Sequence, residues 1–333
     1  MAQLGEALQQ RWRERQPDLV IVDFTLPSAG LAAQTMGIAW WTSMLSPCVI
    51  DTEDGPPAYF GGLQPVTTPL QQIWHAVARR LTRALQRSLH LCYRRQMRAC
   101  GLPGIYRSDR SEAVDSPYCI LALGVPSFEL AQRWPAAVRF VGPQLCTPPS
   151  AVTAPNFVAG RRHVLATLGT HLQWVKQRMD GVLRALAPQF PKVIFHCSDG
   201  DTAAPLQPAQ GNYHRLPYVD YAQHLQHLQR YALVVHHGGA DILYACLAAG
   251  LPAIVYPLDY DQFDHAARLQ VAGAAWWLRD LNGLPALLRE ALSADEAPSG
   301  VHRLQAELQA IQSQARIVQV VHGFALTGAV PPV

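Results

Sequence analysis

Short apolar runs alternate with segments of helical length along most of this chain, and this alternation constrains the fold most strongly. Residues 18–23 and 163–168 are almost continuously apolar, as in strands that are buried on both faces of a parallel sheet. Small-residue or amphipathic segments follow such runs, which is the order of βαβ units. The pattern therefore predicts an α/β protein with doubly wound parallel sheets.

The composition predicts a folded, two-domain protein. The chain has 333 residues, of which 49% are hydrophobic and 15% charged, and this balance is too apolar for intrinsic disorder. A net charge of +3 gives no sign of a nucleic-acid partner. Apolar runs fall short of a membrane span, the N-terminal residues lack a signal-peptide core, and the seven cysteines form no CxxC pair. These features predict a cytoplasmic protein.

Proline, serine and threonine cluster between the two halves of the chain, which is typical of a linker. The predicted organisation is a domain over 1–142, a linker over 143–160, a second domain over 161–300, and a C-terminal helix and tail over 301–333.

A basic amphipathic segment from Gln71 to Cys100 predicts one long helix. The ordinary interpretation is a surface helix with a solvated basic face. The alternative is peripheral contact with an anionic membrane surface through residues 71–98.

The strongest functional signal is the stretch His236-His237-Gly238-Gly239-Ala240-Asp241, between a predicted strand and a predicted helix that we expect Asp241 to cap. Such a junction presents backbone N–H groups and the positive end of a helix dipole, which suits a phosphate. After the next strand, Asp261 and Gln262 are expected at the same sheet edge, where their side chains suit vicinal hydroxyls. The competing interpretations are close packing for the glycines and a helix cap for the acid.

The combination of HHGGA, LAAGLP, PxxxDQ and DxAAR closely resembles the donor-binding signature of UDP-glycosyltransferase-like enzymes with the GT-B fold of two Rossmann-like domains. The resemblance implies that Asp261 and Gln262 hold the sugar hydroxyls and that Asp23 orients a catalytic histidine. It also implies a set of residues around the donor diphosphate: Gly169, Thr170, His237, Gly238, Gly239, Ala240 and Asp241.

Several positions depart from the family pattern. Asp241 stands where Gly or Asn is usual, Ile242 replaces a hydroxyl residue, and Ala245 replaces an acidic residue. The family's first strands and its catalytic histidine precede the segment matched by residues 1–23. We therefore expect an N-terminal, acceptor-binding domain that lacks its first strands, and Asp23 without its partner histidine.

The resulting hypothesis is an inverting transfer of a hexose, without a metal or other cofactor, from a nucleotide diphosphate sugar, expected to be UDP-linked, to a hydroxyl of an apolar small molecule or lipid. The alternative is a catalytically impaired or truncated homologue that acts as a binding or regulatory subunit, or that a separate N-terminal polypeptide complements.

Overall fold

The computed structural model describes residues 2–99, 101–102, 104–109, 111–145, 155–169, 173–201, 203–219, 225–294 and 296–331. The chain divides into two compact units. Unit 1 comprises Met1–Gln144 and Ile311–Val333, and unit 2 comprises Leu145–Ala310.

Among the described residues of 2–144, unit 1 has four strands and four α-helices. In chain order these are α1 (Ala2–Arg15), β1 (Leu19–Asp23), α2 (Pro27–Thr35), β2 (Ala39–Met44), α3 (Pro69–Cys92), α4 (Arg94–Ala99), β3 (Ile120–Ala122) and β4 (Val138–Phe140). The strands form one parallel sheet in the order β1-β2-β3-β4.

Two adjacent tryptophans on β2 fill opposite faces of this sheet. Trp40 packs with Ala29 and Ala33 of α2 on one face, while Trp41 packs with Leu121 on the other. A Cβ at Gly30 would lie 2.3 Å from the Trp40 ring. The small residues of α2 therefore let the helix approach the sheet over a large aromatic side chain.

Unit 2 contains a six-stranded sheet, and the chain then returns to unit 1 through a last helix. The elements are β5 (Arg162–Thr167), α5 (Gln173–Leu186), β6 (Val193–Ser198), β7 (Tyr213–Leu216), α6 (Leu225–Leu228), β8 (Leu233–His236), α7 (Ala240–Ala248), β9 (Ala253–Val255), α8 (Gln262–Val271), β10 (Ala275–Trp277), α9 (Leu284–Ser293), α10 (Ser299–Ile311) and α11 (Ser313–Thr327).

The sheet of unit 2 is parallel throughout, in the order β10-β9-β8-β5-β6-β7. The chain runs outward from β5 to β7, then crosses back so that β8 pairs with the other side of β5. The strand order thus reverses between β5 and β8. In open α/β sheets, ligands bind outside the carboxyl ends of the strands at such a reversal.

The structure differs from the predicted elements in two places. The helix predicted from Gln71 to Cys100 is divided into α3 and α4 around Tyr93. The C-terminal helix predicted within 301–333 is also divided, at Gln312, whose φ of 49° lies in the left-handed region. The second part, α11, continues to Thr327.

Buried histidines are a marked feature of the unit 2 sheet. His196 on β6 stacks on its cross-strand partner His214 at 5.4 Å between ring centroids, and its Nδ1 lies 2.9 Å from the Tyr231 hydroxyl. Burial is the main cause that lowers the pKa of His196 from 6.5 to about 3. The same cause lowers the pKa of His236, at the end of β8, to about 3.

These two histidines predict that the protein loses stability in mild acid. Between pH 6.5 and about 3 the unfolded chain binds a proton at each position that the folded chain excludes, so stability falls as the pH drops below 6.5. From about pH 7.5 to about pH 5 the loss is on the order of 2 kcal/mol for each histidine. Urea unfolding across this pH range measures it.

A matched pair of variants tests the assignment. We expect His196→Gln to flatten the dependence of unfolding free energy on pH, whatever its effect on stability at neutral pH. His302→Gln, at an exposed position of α10, keeps the dependence of the unaltered chain. Equal slopes for both variants contradict the assignment.

Candidate functional site

The imidazole of His237 lies between two glycines at the point where the strand order of unit 2 reverses. Gly169 follows β5, and His237, Gly238 and Gly239 follow β8. A Cβ at Gly169 would lie 2.9 Å from Cε1 of His237, and a Cβ at Gly239 would lie 2.5 Å from its Nε2. A side chain at either glycine would displace the ring, so these glycines leave the space that it occupies.

Two further histidines fix the conformation of Gly238. Its φ of 93° favours glycine, its N–H donates to Nδ1 of His236 at 3.0 Å, and its carbonyl accepts from Nδ1 of His265 at 2.8 Å. The N–H of Gly238 is therefore engaged within the protein. The backbone donors that face outward from this loop must come from the residues after it.

Helix α7 supplies those donors. Gly239, in an extended conformation, is its N-cap, and no side chain of the described residues caps the helix. The N–H groups from Gly239 to Ile242 thus have no partner inside the helix, and in the described chain they donate no other hydrogen bond. They form a cluster of donors at the positive end of the helix dipole, which suits an anion.

Asp241 does not cap α7, contrary to the sequence-based expectation, because the helix begins one residue earlier. It lies exposed in the first turn. Protein atoms crowd one side of its carboxyl, and this partial desolvation raises its pKa. The acid is therefore placed beside the same N–H groups that suit an anion.

His237 is neutral at pH 7. Burial is the main cause that lowers its pKa from 6.5 to about 4, and nearby Lys176 lowers it further, while the Thr167 carbonyl and the Asp261 carboxylate act in the opposite direction. Among the described residues, Nδ1 of His237 has no hydrogen-bond partner. A diphosphate that approached this ring would favour its protonated form, because an adjacent anion stabilises imidazolium.

Lys176 is a site residue that the sequence reasoning missed. It lies on α5, only 8% exposed, and its Nζ donates to the Asp199 carbonyl at 2.8 Å. Nζ would also lie 3.3 Å from a Cβ at Gly200, the residue that packs against the Gly169 carbonyl. The sequence carried one signal, since Lys176 is one of only two lysines among 27 basic residues. This cation lies beside the β5 end of the site.

Asp261 and Gln262 lie at the start of α8, next to the glycine loop. A Cβ at Gly238 would lie 3.1 Å from the backbone oxygen of Gln262. The side-chain oxygen of Gln262 accepts hydrogen bonds from Leu258 N at 2.9 Å and Asp259 N at 3.2 Å, so it orders the loop after β9. In the part of the chain that the structure describes, the amide nitrogen makes no hydrogen bond, and it is the group left for a ligand.

Other predicted positions have different outcomes. Thr170 lies outside the described residues. Ile242 and Ala245 are buried in an apolar cluster, so neither presents a polar group at the start of α7. Asp23 is exposed at the end of β1 in unit 1, where its Oδ1 accepts hydrogen bonds from the backbone N–H of Thr25 at 2.9 Å and from the Thr25 hydroxyl.

Known glycosyltransferases are similar to this chain in sequence. Residues 167–320 match the model of the glycosyltransferase family 28 C-terminal domain. A zeaxanthin glucosyltransferase of Pseudescherichia vulneris is 28% identical over 271 residues, 77% of this chain and 60% of the relative. UDP-glucuronosyltransferase 2B33 of Macaca mulatta is 29% identical over 143 residues, 41% of this chain and 26% of the relative.

A solved structure agrees in fold. The crystal structure of the kitacinnamycin glycosyltransferase superposes with a TM-score of 0.66 at 22% identity, over 95% of this chain and 79% of that one. The two parallel-sheet units thus have the GT-B fold, as predicted. With the family model and the relatives, this fold confirms the predicted resemblance to UDP-glycosyltransferase-like enzymes. This chain spans less than two thirds of the length of either curated relative.

The packing of His237 makes a direct prediction about ligand binding. Gly239→Ala would place a methyl group 2.5 Å from Nε2 of His237, so the ring must move. We expect affinity for UDP, measured by titration calorimetry, to fall at least tenfold. We expect the same loss for His237→Ala, with little added loss in the double variant because both changes remove one interaction. Additive losses contradict this prediction. Gly181→Ala, at a helical position with open space around it, is the control.

Proposed function

We propose that this chain binds a nucleotide diphosphate sugar in unit 2 and takes part in transferring the sugar to a hydroxyl of an apolar small molecule or lipid, with inversion at the anomeric carbon. The observation that carries the proposal is the placement of His237 and the uncapped start of α7 at the β5–β8 reversal. This is where a parallel sheet binds ligands, and its groups are those that a diphosphate requires.

The chemistry required of the donor site is to stabilise a leaving diphosphate. The N–H groups that open α7 donate to phosphate oxygens, and the Lys176 ammonium adds a positive charge near the β5 end. His237 donates a further hydrogen bond once the ligand's charge has favoured its protonation. Preorganised donors of this kind act without a metal ion, so the proposal names no cofactor.

Asp261 and Gln262 are proposed to hold the sugar. The Asp261 carboxylate is close enough to His237 to influence the pKa of the imidazole. This proximity supports a role in which Asp261 accepts a hydrogen bond from a sugar hydroxyl beside the diphosphate. The Gln262 amide nitrogen adds a hydrogen-bond donor, while its oxygen keeps the loop in place. The pair thus offers complementary groups to neighbouring sugar hydroxyls.

On the acceptor side, we propose that Asp23 orients a histidine that removes the proton from the acceptor hydroxyl as that oxygen attacks the anomeric carbon. The hydrogen bonds from Thr25 hold the Asp23 carboxylate at the end of β1. Asp23 is in this scheme a positioning residue, because it acts through the histidine.

A second candidate function is donor binding without turnover, as a regulatory or partner subunit. It is favoured by the start of α7, where Asp241 adds a negative charge and the buried Ile242 and Ala245 add no polar group. In the part of the chain that the structure describes, moreover, the Asp23 carboxylate accepts hydrogen bonds from Thr25 rather than from a histidine.

Calorimetry and product analysis on the full chain separate these candidates. We expect UDP and UDP-glucose to bind, His237→Ala to weaken both at least tenfold, and His302→Ala to leave both unchanged. Thymidine diphosphate serves as the nucleobase comparison. Release of UDP that requires an added apolar alcohol supports transfer, whereas binding without release supports the second candidate. If none of these nucleotides binds, both are excluded.

Asp241 provides a test in which a substitution is expected to strengthen nucleotide binding. A carboxylate about 5 Å from a phosphate charge costs about 3 kcal/mol at an effective dielectric constant near 20, and solvent exposure reduces this repulsion. We therefore expect Asp241→Asn to strengthen UDP binding severalfold, with a smaller gain at high salt. Asp280→Asn, at an exposed position after β10, is expected to have no effect. Unchanged or weaker binding by Asp241→Asn shows that its charge does not face the diphosphate.

A further inference from the structure

Helix α3 packs against the rest of unit 1 through its polar face and not through its apolar face. Its polar residues His75, Arg79, Arg83 and Gln86 lie on the side that contacts the rest of the unit. Val77, Leu81 and Leu85 lie about half a turn away and are exposed, Leu81 by 52% and Leu85 by 61%. Of the described residues of α3, only His75 and Ala78 are buried. The apolar stripe of this helix therefore faces solvent.

The polar face is anchored by specific contacts. Arg83 forms an ion pair with Asp51 at 2.8 Å, and Arg79 donates to the Thr52 carbonyl at 3.0 Å. The side-chain amide of Gln86 donates to Glu112 at 2.9 Å. These contacts fix the rotation of the helix about its axis. Specific contacts within unit 1 therefore hold the apolar stripe toward solvent.

The exposed stripe extends along the helix and includes an aromatic residue at its start. Leu70, Ile73, Trp74, Val77, Leu81 and Leu85 are all exposed large hydrophobic side chains. A continuous apolar face of this kind on a folded protein marks an interaction surface. A partner that covers this stripe must therefore be apolar where it contacts the stripe.

The charge around the stripe identifies that occupant. Residues 69–99 contain seven arginines and no aspartate or glutamate. Arg80, Arg94, Arg95 and Arg98 are exposed, and no ion pair is found for them within the described chain. Beyond the end of the stripe, Arg87, Arg94, Arg98 and Tyr106 line an open groove of about 470 Å³. Its arginines suit the phosphate of a lipid headgroup.

We propose that α3 and α4 dock unit 1 on an anionic lipid surface, with the apolar stripe of α3 in the interface and the arginine groove on lipid phosphates. No helix of the described chain is both long enough and apolar enough to cross a membrane. A helix with one apolar and one strongly basic side lies in the interfacial plane. A second copy of the chain fits less well, because a two-fold contact would bring the basic flanks of both copies together. The proposal does not depend on the donor site.

Vesicle co-sedimentation of the full chain tests the proposal. We expect binding to vesicles of equal parts phosphatidylcholine and phosphatidylglycerol, weak binding to phosphatidylcholine alone, and loss of binding at high salt. The double variants Leu81→Ser/Leu85→Ser and Arg94→Glu/Arg98→Glu should each lower the partition constant roughly tenfold or more. The matched control is Leu206→Ser/Arg178→Glu, at exposed positions of unit 2, and it should bind like the unaltered chain.

Three further readouts make the test decisive. Because the altered side chains are exposed, melting temperatures should stay unchanged, which separates lost docking from lost folding. A vesicle-induced blue shift in tryptophan emission should disappear in Trp74→Phe. UDP binding should be unaffected by any of these variants. Absent vesicle binding, equal binding to both vesicle types, or a concentration-dependent dimer that Leu81→Ser/Leu85→Ser abolishes would each overturn the proposal.

Discussion

The contact between the His237 ring and the two glycines is the constraint on which the rest of the unit 2 site depends. It joins the ends of β5 and β8, the two strands between which the sheet order reverses. Because Gly238 is held by His236 and His265, the chain after it emerges in the direction that starts α7. One close-packed junction thus sets the direction of the helix, the position of the imidazole and the set of backbone donors that have no internal partner.

This junction also determines how charge is arranged. The carrier of fixed positive charge at the β5 end is Lys176, whose hydrogen bond to the Asp199 carbonyl keeps it in place despite its burial. Burial holds His237 neutral, so the ring adds positive charge only when an anion is present. The negative charge of Asp241 opposes these positive charges. The start of α7 therefore attracts an anion less strongly than it would without this acid.

Much of this arrangement could be predicted from the sequence, for physical reasons. Strands buried on both faces are continuous apolar runs, so β1, β5 and β8 were visible, and a glycine pair after such a strand indicated the junction itself. Short strands such as β7 and β10 carry no comparable pattern. Lys176 and His265 could not be assigned to the site, because what places them there is the three-dimensional approach of α5 and α8 to the glycine loop. No local spacing encodes that approach.

Helix α3 shows a second limit of prediction from the sequence, which concerns the orientation of a helix. Periodicity shows that a helix has an apolar face, but burial decides which face turns inward, and here that rests on polar contacts made by Arg83 and Gln86. A helix whose apolar face gains nothing from the core needs other support. Pro69 at the first turn and the capping box between Thr68 and Gln71 supply part of it. The 24-residue length and the leucine, arginine, alanine and glutamine content supply more. The helix can therefore keep its form while its apolar face stays open to a partner.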